Sequence, residues 1–382
     1  MDNKQLTVIT LLDFSNAFNS VDFDILLGIL RSLNISPSVI NWFHSYLHGR
    51  QQRIRTEEAF SDWADLSAGV PQGGVLSPLL FTVFINEITK ILTSHYHLYA
   101  DDLQLYRHAT LTDLDAAIFA INEDLNAIKD WAESFGLLVN PNKSQAMIIG
   151  SRQLRSRVTF NDLPPISYNG IPIVYSCTSK NLGLIIDSNL TWSAHINQVS
   201  KRMHYVVHSL RRLQNFLPLH TKIMLAQSLL LPILDYADVC YLDATEELLD
   251  KLERLQNLCI RFIFGLRKFD HVSDFRRQLK WLPIRFRRNV HILTVLYNIL
   301  YNSSSPEYLC ERIKLCLPPT RPLRSCVSKN PLDVPSYNTI FFQKSFSVHA
   351  THLWNLLPEH IRHCRSVHSF KHNVKEHYLS LS

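Results

Sequence analysis

The tetrapeptide Tyr99-Ala100-Asp101-Asp102 sets two adjacent acids between two strand-like runs, His95 to Leu98 and Leu103 to Tyr106. That pattern predicts a β-hairpin with carboxylates at its tip. Like charges so close repel and raise each other's pKa unless a cation neutralises them. A third acid, Asp13, follows another strand-like run, Leu6 to Leu12. It lies too far upstream for local pairing and suits convergence across a sheet. Three carboxylates from two strand ends could hold two magnesium ions, which take oxygen ligands and leave positions open for phosphates. The chemistry implied is nucleotidyl transfer. For the Asp pair alone, a solvated turn is the competing reading.

The neighbourhood of each acid narrows the choice. Around Asp13 stands Leu12-Asp13-Phe14-Ser15-Asn16-Ala17-Phe18-Asn19, and between the acid sites stands Gly69-Val70-Pro71-Gln72-Gly73-Gly74 followed by Leu76-Ser77-Pro78. Together with the Tyr-Ala-Asp-Asp box, and in this order, they resemble motifs A, B and C of reverse transcriptases. Downstream, Gly136-Leu137-Leu138-Val139-Asn140-Pro141-Asn142-Lys143 resembles motif D, and Asn181-Leu182-Gly183-Leu184 resembles the primer-grip motif E. Trp281-Leu282-Pro283 and Leu353-Trp354-Asn355-Leu356-Leu357-Pro358 resemble the region that follows the polymerase in non-LTR retrotransposons of the jockey and chicken-repeat kind. The resemblance covers nearly the whole chain.

What it implies can be stated residue by residue. Asp13, Asp101 and Asp102 would hold two Mg2+ ions, with Mn2+ as a substitute, for transfer of a nucleotide to a primer 3′ hydroxyl. Lys143 would donate a proton to pyrophosphate, against the plainer reading of an exposed lysine beside a turn. Phe18 would stack under the deoxyribose and exclude a 2′ hydroxyl, against that of an ordinary core phenylalanine. Gln72, Gly73 and Tyr99 would contact the incoming nucleotide, with Gly73 letting backbone come close. Leu182 and Gly183 would form the primer grip. The implied partners are an RNA template, a DNA primer and deoxynucleoside triphosphates.

Charge divides the chain. Residues 1–150 carry nine Lys/Arg against seventeen Asp/Glu, whereas residues 151–382 carry thirty against sixteen. A polyanion surface is therefore expected in the second part. Its densest candidate is Arg267, Lys268, Arg276, Arg277, Lys280, Arg285, Arg287 and Arg288, interleaved with Phe262, Phe264, Phe269, Phe275, Trp281 and Phe286. Exposed aromatics there could stack on bases, while the alternative puts them in the core beneath a solvated rim. The seven cysteines are scattered and odd in number, which suits free thiols in a reducing compartment. Cys310, Cys316 and Cys326 lack the tight spacing of a zinc knuckle. The N-terminal residues lack a signal-peptide pattern and no apolar run reaches a bilayer's thickness, so a soluble protein of nucleus or cytoplasm with no membrane partner is expected.

Periodicity points to an α+β fold, a right-hand polymerase palm with an antiparallel sheet followed by an α-helical thumb and C-terminal region. Leu114, Ile118, Ile121, Leu125 and Ile128 form one helical stripe ending before Gly136; Ile196, Val199, Met203, Val206, Leu210 and Leu213 form a second; Leu249, Leu252, Leu255, Cys259 and Phe262 form a third. Asn302 to Pro306 reads as a linker, and Leu317 to Pro335 as irregular. The division expected is a palm over 1–190, a helical thumb with basic connection over 191–300 and a retrotransposon-type tail over 301–382. Two departures qualify the expected activity. Motif A usually reads Ala-Phe-Asp, where this chain has Asn19, and the fingers and endonuclease that precede motif A in such elements have no counterpart, as in an N-terminally truncated copy. The leading reading is an RNA-directed DNA polymerase impaired by truncation; the second is a non-catalytic nucleic-acid-binding remnant; the third is an unstable product with no biochemical role.

Overall fold

The computed structural model describes residues 4–316 and 332–382; Cys326 and the Pro-rich stretch from Leu317 fall largely outside them. Two compact units divide the chain, one from residues 3–183 with 187–190 and the other from 184–186 with 191–382.

The first unit is built on strand β1, Leu6–Leu12, whose residues alternate between buried and half-buried along its length. Helices α1 (Phe23–Ser32), α2 (Pro37–Leu47) and α3 (Ser77–Ile85) follow. Then come strands β2 (His95–Tyr99) and β3 (Asp102–Ala109), the long helix α4 (Leu114–Phe135), and strand β4 (Gln145–Ile149). The sheet order is β2-β3-β1-β4, with every neighbouring pair antiparallel. Leu6, Val8 and Leu12 of β1 and Leu103 and Leu105 of β3 sink into the core with the α4 stripe Leu114, Ile118, Ile121, Leu125 and Ile128, as the spacing predicts. Gly136 ends α4 with φ 70, its N–H bonded to the Ala132 carbonyl.

One polar residue of α4 is buried deliberately. Asp124 is 1% exposed and accepts from Thr93 N at 2.9 Å, Thr93 Oγ1 at 3.0 Å and Ser94 N at 2.8 Å. Arg107 of β3 donates to Ser94 Oγ and Thr93 Oγ1, each at 2.9 Å. The segment leading into β2 is thus tied from both sides.

The second unit is helical. Its principal helices are α5 (Ser193–Arg211), α6 (Glu246–Phe264), α7 (Ile284–Tyr301), α8 (Phe346–Leu356) and α9 (Val367–Ser380). Along α5 the stripe runs through Ile196, Val199 and Met203, then buries Val207, while Val206 is only half-buried and Leu213 is exposed. The stretch 302–306 separates α7 from the tail in sequence but not in packing. Tyr297 stacks on Phe370 at 4.5 Å between centroids and donates its hydroxyl to the Cys364 carbonyl at 2.8 Å, so α7, α8 and α9 share one core.

Among the described residues no helix is long and apolar enough to cross a membrane. Replacing Asp124 with Ala leaves the buried Ser94 N–H and the part-buried Thr93 N–H and hydroxyl without their acceptor, and about 1–3 kcal/mol of stability should be lost, read by urea unfolding. An unchanged midpoint would mean that water takes over the acceptor role.

Candidate functional site

The β2–β3 hairpin turns through two residues only. Tyr99 pairs with Asp102, which leaves Ala100 and Asp101 as the turn, and Ala100 has φ 51 where Asp101 has none of this left-handed character. Positive φ at the first central residue alone is the type II′ pattern, whose twist suits a tight hairpin. On the other side of β3, Leu12 pairs with Leu103. Continued by one residue, that antiparallel register sets Asp13 opposite Asp102. The three acids therefore gather at one end of the sheet, from a strand end, a turn and a strand start.

Their electrostatics follow from this gathering. Partial burial, then Asp101 and then Asp13, push the Asp102 carboxyl above its ordinary range. The cation nearest to them is Lys143, whose Nζ lies 4.0 Å from Asp13 Oδ2 with both side chains well exposed. The loop before β4 also holds the Asp13 backbone. Asn140 N donates to the Asp13 carbonyl at 2.8 Å, and Asp13 N donates to Ser144 Oγ at 3.2 Å. Asn140 Oδ1 accepts in turn from Asn142 N and Lys143 N, which closes a local turn within the motif D stretch. An all-oxygen donor set carrying uncompensated negative charge fits a hard divalent cation. The carboxylates are not drawn into contact. Among the described residues, the set of three ligand groups within 4.8 Å of one another is Asp235, Asp238 and His291. Those side chains are already engaged, Asp235 by Arg287 and Asp238 by His291 Nδ1 at 2.7 Å.

Beside the acids, two segments are clipped together. Val70 N donates to the Phe18 carbonyl at 3.0 Å and Gly69 N to that of Val21 at 2.9 Å. Gly69 has φ 94, and a Cβ there would stand 2.8 Å from the Asn19 carbonyl oxygen, so a side chain would part the segments. Phe18 is half-buried and stacks on Phe81, with centroids 4.1 Å apart and planes at 19°. Gln72 and Gly73 are exposed on the following turn, where Gly74 N and Ser77 Oγ both donate to the Pro71 carbonyl. Gln72 Nε2 reaches back to Asn19 Oδ1 at 2.9 Å. Tyr99 is 67% exposed at the hairpin tip. Leu182 and Gly183 have φ 43 and 83, two successive left-handed residues as in a type I′ turn. The adjoining Asn181 accepts through Oδ1 from Gln104 Nε2 at 2.9 Å, and Gln104 lies two residues along β3 from Asp102, on the same face. Gln104 was missed because an isolated glutamine in a strand gives no sequence signal.

The basic stretch is rearranged more thoroughly. Arg276 pairs with Glu253, Arg277 with Asp274, Arg285 with Glu246 and Asp250, and Arg287 with Asp235. Arg288 is 5% exposed and donates to the carbonyls of Asp238 and Tyr241, which removes it from any surface. Phe262 and Trp281 are core residues, Phe264 packs on Phe275 and Phe286 on Tyr378, whereas Phe269 is exposed beside Lys268. Lys280 takes a left-handed φ of 52, and the Arg267 backbone is capped by Asp270. Of the predicted cations, Lys268 faces a groove of about 1050 Å³ along α5 and α6, joined there by Arg211, Lys251, Arg254 and Arg261, with no carboxylate in its lining. Spacing in sequence hides Arg211, Lys251 and Arg254, which come from two different helices.

The family described as "Reverse transcriptase (RNA-dependent DNA polymerase)" matches residues 1–206. The chain is 28% identical over 291 residues to the RNA-directed DNA polymerase from mobile element jockey of Drosophila melanogaster, covering 73% of this chain and 31% of that protein. It is 26% identical over 301 residues to the probable RNA-directed DNA polymerase from transposon X-element of the same organism, covering 76% and 32%. The chain thus spans about a third of the length of these curated relatives. Among solved structures, telomerase from Candida tropicalis with a TWJ fragment of telomeric RNA aligns over 76% of this chain and 42% of its own, at 12% identity and a TM-score of 0.36.

Gly69→Ala should cost roughly 1–3 kcal/mol through strain at its left-handed backbone and should loosen the Gln72 turn. Chemical denaturation reads the first effect, and faster amide exchange at Val70 reads the second; wild-type exchange would show that the segments are held some other way.

Proposed function

The chain belongs to the reverse transcriptase family, and from that premise we propose that it is an RNA-directed DNA polymerase of a non-LTR retrotransposon, extending a DNA primer on an RNA template with deoxynucleoside triphosphates. The observation that carries this reading is the antiparallel register that sets Asp13 opposite Asp102 beside the Asp101 turn. These three carboxylates would hold divalent cations, magnesium foremost and manganese as a substitute. When bound, the ions supply charge neutralisation for a triphosphate and its leaving group and acidify a primer hydroxyl.

The remaining work falls to the chain's own residues. Phe18, braced by Phe81, would present a flat wall to the sugar and leave no room for a 2′ hydroxyl. Gln72 and Gly73 would line the nucleotide, with Tyr99 closing the opposite side. Lys143, beside Asp13, would give a proton to the departing pyrophosphate oxygen. Leu182 and Gly183, tied through Asn181 to Gln104, would guide the primer end. Residues 1–190 would act as palm, 191–300 as thumb and 301–382 as a tail packed on it. The groove of Arg211, Lys251, Arg254, Arg261 and Lys268 would follow a phosphate backbone.

Primer extension on an RNA template with magnesium tests the reading. Asp101→Ala should lower the rate by about 10²–10³-fold or more, as expected for loss of a group stabilising transition-state charge. Equal extension by the variant would overturn the assignment.

The carboxylate-free groove favours a second function that needs no catalysis, binding of nucleic acid alone. Lys251→Ala and Arg254→Ala should each weaken duplex binding and reduce the salt slope by about one, with little dependence on sequence. Binding that keeps its full salt slope in the double variant would place the interface elsewhere.

A further inference from the structure

Between α2 and Gly69 the chain forms a hairpin in which every residue from 51 to 65 is exposed. Gln51 pairs with Asp65 and Gln52 with Ala64, in a sheet of two strands, and Arg55 bridges to Phe60 farther out. Thr56 N and Thr56 Oγ1 both donate to the Ala59 carbonyl, which closes a turn over Glu57 and Glu58. A two-stranded hairpin with no packed face is marginal in water. This one nevertheless leaves Ile54 71%, Phe60 55% and Trp63 58% exposed. Clustered apolar surface of that kind fits burial against another protein surface.

Its charges narrow the partner. Arg53 Cζ stands 4.0 Å from the Phe60 ring centre and 4.5 Å from that of Trp63, and Arg55 Cζ stands 5.6 Å from Phe60. Stacking holds the Arg53 guanidinium by its faces and leaves its N–H edge for acceptors, foremost the paired oxygens of a carboxylate. Among the described residues no ion pair engages Arg53, Arg55, Glu57 or Glu58. Residues 51–65 set these two arginines against four acids, Glu57, Glu58, Asp62 and Asp65. Net negative charge disfavours a polyanion. A basic first strand that leads into an acidic turn is instead complementary to itself.

We propose that this hairpin docks on the same hairpin of a second copy of the chain, about a two-fold axis near Thr56. In such an isologous contact each pair forms twice. Arg53 meets Glu58 of the second copy and Arg55 meets its Glu57, two pairings that straddle one axis and so form together. Phe60 and Trp63, beside the arginines, are aromatic anchors of the kind that carry most of the binding energy of an interface. The contact uses none of Asp13, Asp101 and Asp102, and it stands whatever role they play.

Charge reversal supplies the test. The full chain, freed of nucleic acid by nuclease and a high-salt wash, is followed by sedimentation velocity from about 1 to 100 μM. Wild type should pass from monomer to dimer within that range. Two double variants, Arg53→Glu with Arg55→Glu and Glu57→Arg with Glu58→Arg, should each weaken dimerisation by about tenfold or more, because each sets like charges face to face. An equimolar mixture of the two should regain a dimer, since an acidic strand then meets a basic turn at both ends of the contact. Variants that had merely misfolded would not rescue each other. A wild-type chain still monomeric at about 100 μM, double variants that dimerise as wild type does, or a mixture that forms no mixed dimer would each overturn the proposal. So would a hairpin whose arginine reversal lowers affinity for a single-stranded RNA oligonucleotide while the wild-type chain remains a monomer.

Discussion

The antiparallel pairing of β1 with β3 is the constraint from which the candidate site derives. Strand side chains alternate, so burying Leu6, Val8 and Leu12 against α4 commits Thr7, Ile9 and Leu11 to the other face. A slip of one residue would invert the set and expose the core residues, which makes the register costly to change. The same register decides which residue of β3 meets Asp13. Convergence of the acids is therefore in the first place a by-product of core packing. Repulsion among carboxylates opposes the arrangement, and the packing of the sheet overrides it.

Around that sheet, polar residues act at points where packing alone would leave slack. Asp124 and Arg107 brace the segment that leads into the edge strand, and Asn140 and Ser144 brace the backbone at Asp13. Gly69 contributes by omission, since its missing side chain lets one segment lie on the backbone of another. In the helical unit, arginines serve structure as much as surface. Arg276, Arg285 and Arg287 are held by acids on neighbouring elements, while Arg288 fills a polar gap near Tyr241. Charged residues so engaged contribute little field to an approaching polyanion.

Much of this was legible beforehand, for identifiable reasons. The hairpin and the Asp13 strand were readable because alternation and turn chemistry are local signals, and the α4 stripe and its Gly136 stop because helical periodicity is too. The four-stranded sheet agrees with the expected α+β class. Density of charge along the chain proved a poor guide to charge on the surface. Arg276, Arg285, Arg287 and Arg288 take partners from α6 and from residues 235–241, contacts of long sequence separation that no local pattern encodes. Arg211, Lys251 and Arg254 of the groove escaped notice for the converse reason, since they become neighbours only when two helices pack side by side. Gln104 was silent because its significance lies in Asn181, which stands opposite it.

The shared core of α7, α8 and α9 bears on how the helical unit can vary. Tyr297, Trp354 and Phe370 pack as one aromatic group drawn from three helices, on both sides of a stretch that reads as a linker. A chain interrupted between residues 302 and 306 would leave the inward face of α7 uncovered, with Leu293, Leu296 and Tyr297 turned to water. Insertions in that stretch are tolerable so long as the two sides still meet. Helices α8 and α9 thus act as the missing wall of the preceding helix, and losing them would weaken that helix before it touched any residue of the four-stranded sheet.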